Sequence, residues 1–442
     1  MWIIPPDSLR IIRILFFVLI AFVLRAQSLT SEAADSLAVI QTAQAAIKHN
    51  PNPALLQAYV STFGYRRRYS LQLDLHRRRA AAVLDEKIYL RLLTLPMSDA
   101  YSTAVMQTEV QWTAQMLDFI FHQTYGENLE LSYHGWKEQI DTARLLRLHE
   151  AFLEGQPLPD WLQSMQPPTE TFRYLLSIQQ QQLVESDSVP PATRAFQRKT
   201  IEQAINAERF MQRFRDSFWV QVNIPSAILT LQRGQSSWRT RVIVGQPDWA
   251  TPCFSGYLQA VISFPYWIPP RSILQKEILP KVKKNPGWLA QNDFEVVNAR
   301  GQVIDAGSVN WAGISVHSFP YLLRQFSGCD NALGRMKFDV VSPFSVYLHD
   351  TNHPELLQRE KRFLSHGCIR VQHPDTMAAE LLQANRYPES YALFLNALAH
   401  DEQKRWTLPQ AVPLIITYQL FAPDENGRWQ FWKDVYHKNE EK

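Results

Sequence analysis

Between Ser345 and Asp375 the chain reads Ser-Val-Tyr-Leu-His-Asp-Thr, then a polar loop, then Leu-Ser-His-Gly-Cys-Ile-Arg-Val-Gln-His-Pro-Asp. One thiol, Cys368, shares this stretch with His349, His353, His366 and His373. An ordinary thiol, with a pKa of about 8.5, is only slightly ionised at neutral pH. An imidazole that takes its proton turns it into a thiolate nucleophile, and His349 is the candidate base. Gly367, directly before the thiol, permits a tight turn and lets its N–H face a substrate oxygen, as one donor of an oxyanion hole. The same residue types bind zinc. A zinc-dependent peptidase using His349, His353, His366, Cys368 and His373 is therefore a second reading. A buried, inert cysteine is the third.

The elements around these residues have legible patterns. A strand, Val346 to His349, leads into the polar loop, and Ser365 to Val371 follows it. Pro374 and Asp375 open a helix that runs through Met377, Leu381 and Leu382. Upstream, from about residue 30 to 215, the period is helical. Tyr101, Val105, Trp112, Met116 and Phe119 share one helix face, and Ile140 to Phe152 reads as another helix. Asp187 to Ala192, with Pro190-Pro191, is a linker before a last helix from Arg194 to about Arg215. The period then changes to two. Val220, Val222 and Ile224 alternate with polar residues, as do Ala227, Leu229 and Leu231, and Trp238 to Val244 is a third strand. Leu414 to Phe421 and Arg428 to Trp432 flank Asn426-Gly427, a hairpin signal. The fold class is α+β, a helical N-terminal region followed by a mostly β domain.

Ser365-His366-Gly367-Cys368-Ile369-Arg370 with the upstream Leu348-His349-Asp350 closely resembles the signature of L,D-transpeptidases of the YkuD fold. Val242-Ile243-Val244-Gly245 and Thr251-Pro252-Cys253-Phe254 resemble that family's strand and Thr-Pro turn. Phe264-Pro265-Tyr266-Trp267-Ile268-Pro269-Pro270 and Asn331-Ala332-Leu333-Gly334-Arg335 resemble its YcbB-type branch. The resemblance implies Cys368 as nucleophile, His349 as base and the Asp350 carbonyl as orienter of the imidazole. It implies that His366 shapes the turn, and that Tyr347, Trp267, Ser365 and Arg370 line the substrate cleft. Arg370 reads equally as a structural donor and as a carboxylate binder. No cofactor is implied. The implied partners are peptidoglycan stem peptides and the cell-wall polymer, with carbapenems as inhibitors. A catalytically silent cell-wall scaffold with this fold is the alternative from another class. The branch usually carries a small peptidoglycan-binding domain, but here only about 30 residues separate Gln182 from the first catalytic strand, and they read as linker plus one helix.

The implied organisation is a segment 1–26 for export, a helical scaffold over 30–186, linker and helix over 187–215, and a catalytic domain over 216–437. Its stretch 271–327 is expected to be a lid, with Ile278 to Lys284 as a short basic helix broken by Pro280. Arg10 and Arg13 precede the apolar run Ile14 to Leu24, too short to span a bilayer comfortably but suited to a signal h-region, with Ala26 before the cut. An uncleaved membrane anchor is the alternative. Export to the periplasm or cell envelope fits a net charge of +3, too balanced for a nucleic-acid binder. Cys253 and Cys329 could pair in an oxidising compartment or remain small buried hydrophobes. The clusters Arg66 to Arg68 and Arg77 to Arg79 read as a solvated face or as an attraction to an anionic polymer or lipid surface.

Overall fold

The computed structural model describes residues 116–438, apart from 185–188, 215–217, 235, 316–318, 329 and 385–387. The export segment, both arginine clusters, most of the 30–186 region and Cys329 fall outside the described residues. The chain divides into two compact units.

The first unit takes in 116–128, 139–176 and 205–214 of the described residues. Its helices include α1 (Thr142–Leu153) and α2 (Leu158–Met165). Asp141 caps α1 by accepting from the Arg144 N–H at 2.9 Å. Met116, Leu117, Ile120, Leu145, Phe152, Trp161, Met165 and Phe172 are almost wholly buried. The polar end of Trp161 is satisfied by the Leu148 carbonyl at 2.7 Å. Two longer helices follow in the chain, α3 (Glu170–Val184) and α4 (Pro191–Met211). The expected linker thus ends at a proline that begins α4, where its missing N–H costs nothing.

The second unit is organised by strands. Numbered along the chain these are β1 (Tyr133–His134), β2 (Phe218–Asn223), β3 (Ile228–Arg233), β4 (Ser236–Gly245) and β5 (Phe254–Ser263). Then come β6 (Phe294–Val297), β7 (Val303–Ile304), β8 (Leu322–Gln325), β9 (Met336–Val341), β10 (Leu348–His349), β11 (Phe363–Ser365), β12 (Ile369–Val371) and β13 (Lys404–Thr417). The hairpin β14 (Phe421–Pro423) and β15 (Trp429–Phe431) follows them. Eight strands close on themselves in the order β5-β13-β2-β3-β4-β12-β10-β9, with β9 returning to β5. Closure removes the free edges of the sheet. The alternating apolar residues, among them Val220, Val222, Leu229, Leu231, Val242, Val244, Phe338, Leu348, Ile369 and Leu414, form one core. Met377, Leu381 and Phe394, from the two helices between β12 and β13, join it.

Between β5 and β9 lies an insertion with its own core of Leu274, Ile278, Leu279, Val282, Leu289, Phe294, Val296, Trp311, Ile314 and Leu323. Its sheet runs β7-β6-β8. Its neck is closed by paired backbone bonds between Trp267 and Gln325, 3.2 and 2.8 Å. Asn331 ties the neck further, donating to the carbonyls of Pro265 at 3.2 Å and Phe326 at 2.7 Å.

Three sequence expectations are corrected. Pro280 does not break a helix. Arg271–Ile273, a π-turn Leu274–Ile278 and α5 (Leu279–Lys284) run on as one helical stretch. The Leu279 N–H reaches back to the Leu274 carbonyl, and this wider turn accommodates a proline that has no N–H to give. The hairpin at Asn426-Gly427 exists, with Gly427 at φ +81°, but its first strand is β14. Leu414 to Thr417 belong instead to β13, buried between β2 and β5. The strand expected over Val346 to His349 is only Leu348–His349, the two residues that pair with Ile369 and Arg370 on one side and with Phe338 and Lys337 on the other.

Candidate active site

Strands β10 and β12 run parallel, with Leu348 opposite Ile369 and His349 opposite Arg370. The Ile369 N–H donates to the Tyr347 carbonyl at 3.1 Å, so the pairing extends one step back towards Tyr347 and Cys368. Side chains alternate along a strand. Val346, Leu348, Ile369 and Val371 point into the barrel core. Tyr347, His349, Cys368 and Arg370 therefore share the outer face. All four line a cavity of 620 Å³, together with Trp249, Trp267, Glu277, Ser365, His366 and Gly367 among others. The insertion supplies Ser272, Ile273 and Glu277 to its wall.

The turn carrying the thiol is held from below. Gly367 adopts φ +108°, a conformation that side chains disfavour. Its carbonyl accepts from the Thr251 hydroxyl at 2.9 Å, and that hydroxyl oxygen in turn accepts from the Gly245 N–H at 2.9 Å. Tyr436 OH donates to the Gly245 carbonyl at 2.5 Å. Ser365 Oγ folds back under the turn, donating to the Cys368 carbonyl at 2.5 Å and accepting the Gly367 N–H at 3.2 Å. That last bond corrects an expectation. The Gly367 N–H faces Ser365 and not the cavity, so Gly367 serves by its backbone angle.

His349 is buried, and its ring lies 5.7 Å from that of Tyr347. Burial, with Arg370 and Lys337 nearby, pushes its pKa down to about 3. The backbone carbonyls of Asp350 and Leu333 act in the opposite sense, favouring the protonated ring. The Asp350 side chain is occupied elsewhere, accepting the Arg335 N–H at 2.9 Å. Gly334 lies against that carboxyl group; a Cβ there would come within 2.6 Å of it.

The Cys368 thiol is half-buried and free. Its hydrogen is directed at the Ser345 carbonyl, 3.7 Å away, rather than at His349. Burial raises the thiol pKa, while Tyr347, Lys337 and Arg370 pull it down. Lys337, paired with His349 across β9 and β10, sits 4.6 Å over the Tyr347 ring and bonds Asp339 at 2.8 Å. Desolvation lowers the Arg370 pKa, and the Arg370 Nε is buried without a hydrogen bond. In the resting site both the thiol and the imidazole are accordingly neutral, between two cations. Arg370 also favours the thiolate, since the Cys368 charge in turn holds the Arg370 pKa up.

His366 joins the cavity wall with its ring edge against Trp249, 5.1 Å between centroids. Its Nε2 lies 2.5 Å from Glu277 Oε1 of the π-turn. His353 is exposed beside Glu355 at 3.2 Å, and exposed His373 precedes the helix Pro374–Ala384. Of the five zinc-type residues, His353 and His373 do not line the cavity that holds His349, His366 and Cys368, and among the described residues no group of three His, Cys, Asp or Glu side chains is placed to hold a metal ion. Cys253 is buried in the barrel core with a free thiol, 3.3 Å from Lys438 Nζ. Lys337, Glu277, Ser345 and Tyr436 are site residues that the sequence did not single out. Their signals are registers and long-range contacts, which no local motif carries.

Residues 217–386 match the family YkuD, L,D-transpeptidase catalytic domain. A Haemophilus influenzae protein named "Putative L,D-transpeptidase" is 30% identical over 332 residues, 73% of this chain and 64% of that protein. The match therefore spans less than two-thirds of that relative's length. The crystal structure of Mycobacterium tuberculosis L,D-transpeptidase 1 aligns at 15% identity over 46% of this chain and 62% of that one, with a TM-score of 0.17.

Proposed function

We propose that this chain, whose residues 217–386 match the YkuD family of L,D-transpeptidase catalytic domains, is an exported, cysteine-dependent L,D-transpeptidase acting on peptidoglycan. The observation that carries the reading is the parallel register of β10 and β12, which sets Cys368 and His349 on one outer face in one cavity.

Cys368 attacks the carbonyl at the L-centre of a diamino acid in a donor tetrapeptide stem. The thiol first turns from the Ser345 carbonyl, because catalytic hydrogen bonds tighten when substrate arrives. His349 takes the proton. Its low pKa leaves the ring unprotonated, with a free lone pair, at any physiological pH. Lys337 and Arg370 stabilise the thiolate as it forms. The terminal D-Ala leaves with a proton returned by His349, and the acyl group stays on sulfur as a thioester. The side-chain amine of a second stem then attacks, forming a 3→3 cross-link and freeing Cys368. Trp267 and Tyr347 supply apolar walls to the donor. The strained ring of a carbapenem would be opened by the same thiolate and retained. The apolar run Ile14 to Leu24 supports delivery to the periplasm, where this substrate lies.

The test is incubation of the purified protein with tetrapeptide muropeptides, with products identified by mass. A 3→3 dimer and a transient adduct on Cys368 are expected. Chelator-sensitive turnover with no adduct on Cys368 would overturn the proposal.

A further inference from the structure

The second half-reaction of the acyl-transfer reading needs a proton acceptor beside the incoming amine. At neutral pH the acceptor amine arrives as an ammonium ion and must lose a proton before it can attack a thioester.

A second imidazole lines the same cavity. His366 stands two residues before the nucleophile, and its Nε2 is 2.5 Å from Glu277 Oε1. An ionised carboxylate can only accept, so in the neutral ring the hydrogen sits on Nε2 and the lone pair on Nδ1. Glu277 reaches His366 because the π-turn Leu274–Ile278 widens the helix there, and such turns recur at functional sites. The next-door Lys276 is spent elsewhere, with its Nζ 4.3 Å over the Trp249 ring. Trp249 in turn meets the edge of the His366 ring. The cavity's charge is divided about the thiol. Its lining carboxylates, Asp248 and Glu277, belong to the His366–Trp249 side, while Arg370 lies beyond Cys368 on β12. A cationic acceptor is drawn to the first side and an anionic donor group to the second.

We propose that His366 and Glu277 form the acceptor site of the transfer step, with His366 as the base for a primary ammonium group and Glu277 as its positioning residue. The inference rests on the thiol acyltransferase reading given above. The ammonium gives one proton to His366 Nδ1, and the carboxylate opposite faces the resulting imidazolium. The amine nitrogen bonds to the thioester carbon and the C–S bond breaks. The second amine proton passes to the departing thiolate through His349, and His366 returns its own proton to water. Of the charged groups around His366, Glu277 bonds its ring, Asp248 lines the same cavity, and Lys276 lies over the adjoining Trp249 ring.

The test uses the full chain, a tetrapeptide donor, and two competing nucleophiles. One is a soluble stem peptide bearing the diamino acid, protonated at neutral pH. The other is hydroxylamine, largely unprotonated there and so in no need of a base. Glu277→Gln should lower the amide-to-hydroxamate product ratio at least tenfold at pH 7, and the lost amide share should return as pH rises and the acceptor deprotonates itself. His366→Gln should show the same pattern. An unchanged ratio in both variants overturns the proposal. An equal fall in both products also overturns it, because Glu277 would then act on the thiol turn and not on the amine. If the unaltered protein forms no adduct on Cys368 with donor or carbapenem, the acyltransferase reading itself fails, an outcome read before either variant is made.

Discussion

The barrel and the insertion solve the same problem at different scales. The barrel core gathers residues from eight strands and two helices, and every barrel strand is paired on both sides. The insertion has a core cluster of ten buried apolar residues among those described, a three-stranded sheet and a neck of two backbone bonds reinforced by Asn331. The barrel places Cys368, His349 and Arg370 by strand register, which cannot slip without turning every side chain to the other face. The insertion meets the thiol's turn through side chains, Glu277 on His366 and Lys276 on Trp249. Register fixes where Cys368 and His349 stand; side-chain contacts set what covers them.

The sharpest division between them comes from Cys368→Ala. Turnover should vanish, by a factor of 1000 or more on the order usual for nucleophile removal, while stability moves by only about 1 kcal/mol. Muropeptide mass analysis beside a thermal melt checks both. Cross-linking at a rate comparable with the unaltered protein would remove the thiol from the mechanism.

Next in size is a pair of core truncations. Leu348→Ala, at a fully buried position beside the site, should cost about 2–5 kcal/mol and lower the melting point of the whole barrel. Val282→Ala, equally buried but in the insertion, should cost about 1–3 kcal/mol and loosen that region alone. Hydrogen exchange resolves the two. If Val282→Ala exposes barrel amides as readily as insertion amides, the two cores are one cooperative unit.

The pH dependence is smaller, and its sign follows from His349. The folded pKa of about 3 lies below the unfolded value near 6.5, so the unfolded chain binds the extra proton between these limits. The stabilisation is complete above pH 6.5 and is lost as pH falls towards 3, in total a few kcal/mol. His349→Gln should flatten this part of the curve when denaturant melts at pH 7 and pH 4 are compared. A difference between the pH 7 and pH 4 melts that is the same in both proteins would place the His349 ring in water.

Smallest is Lys276→Ala. Losing one exposed cation–π contact costs about 0.5–1 kcal/mol. The effect should show as a modest rise in KM for polymeric substrate, with the rate of carbapenem acylation unchanged. A melt of the barrel shifted by the same substitution would tie the insertion more firmly to it than these contacts allow.

Much of this division was legible beforehand. The switch from helical to strand period falls where the helical segments give way to β2, and Ser365 to Arg370 with His349 marked the site. The helix expected over Ile140 to Phe152 is α1 within two residues. What was not legible depends on pairing at a distance. That Tyr347, His349, Cys368 and Arg370 share a face follows from the parallel register, and a two-residue strand such as β10 carries no periodicity of its own. Glu277 lies 89 residues from His366, and nothing local in either segment announces their meeting. Pro280 misled for a related reason, because propensity marks a break and a π-turn absorbs it.

The closure of the barrel also dictates an order of assembly. Strand β13 is inserted between β2 and β5, and its Thr417 bonds Gln221 across 196 residues of chain. Until that late strand arrives, β2 and β5 present open edges, and the ring that aligns His349 with Cys368 is incomplete. Such long-range closure is slow compared with helix formation. The helices of the first unit can therefore form while the barrel is still waiting for its last stave. A chain halted before residue 404 would carry the whole catalytic motif and still have no closed barrel to hold it.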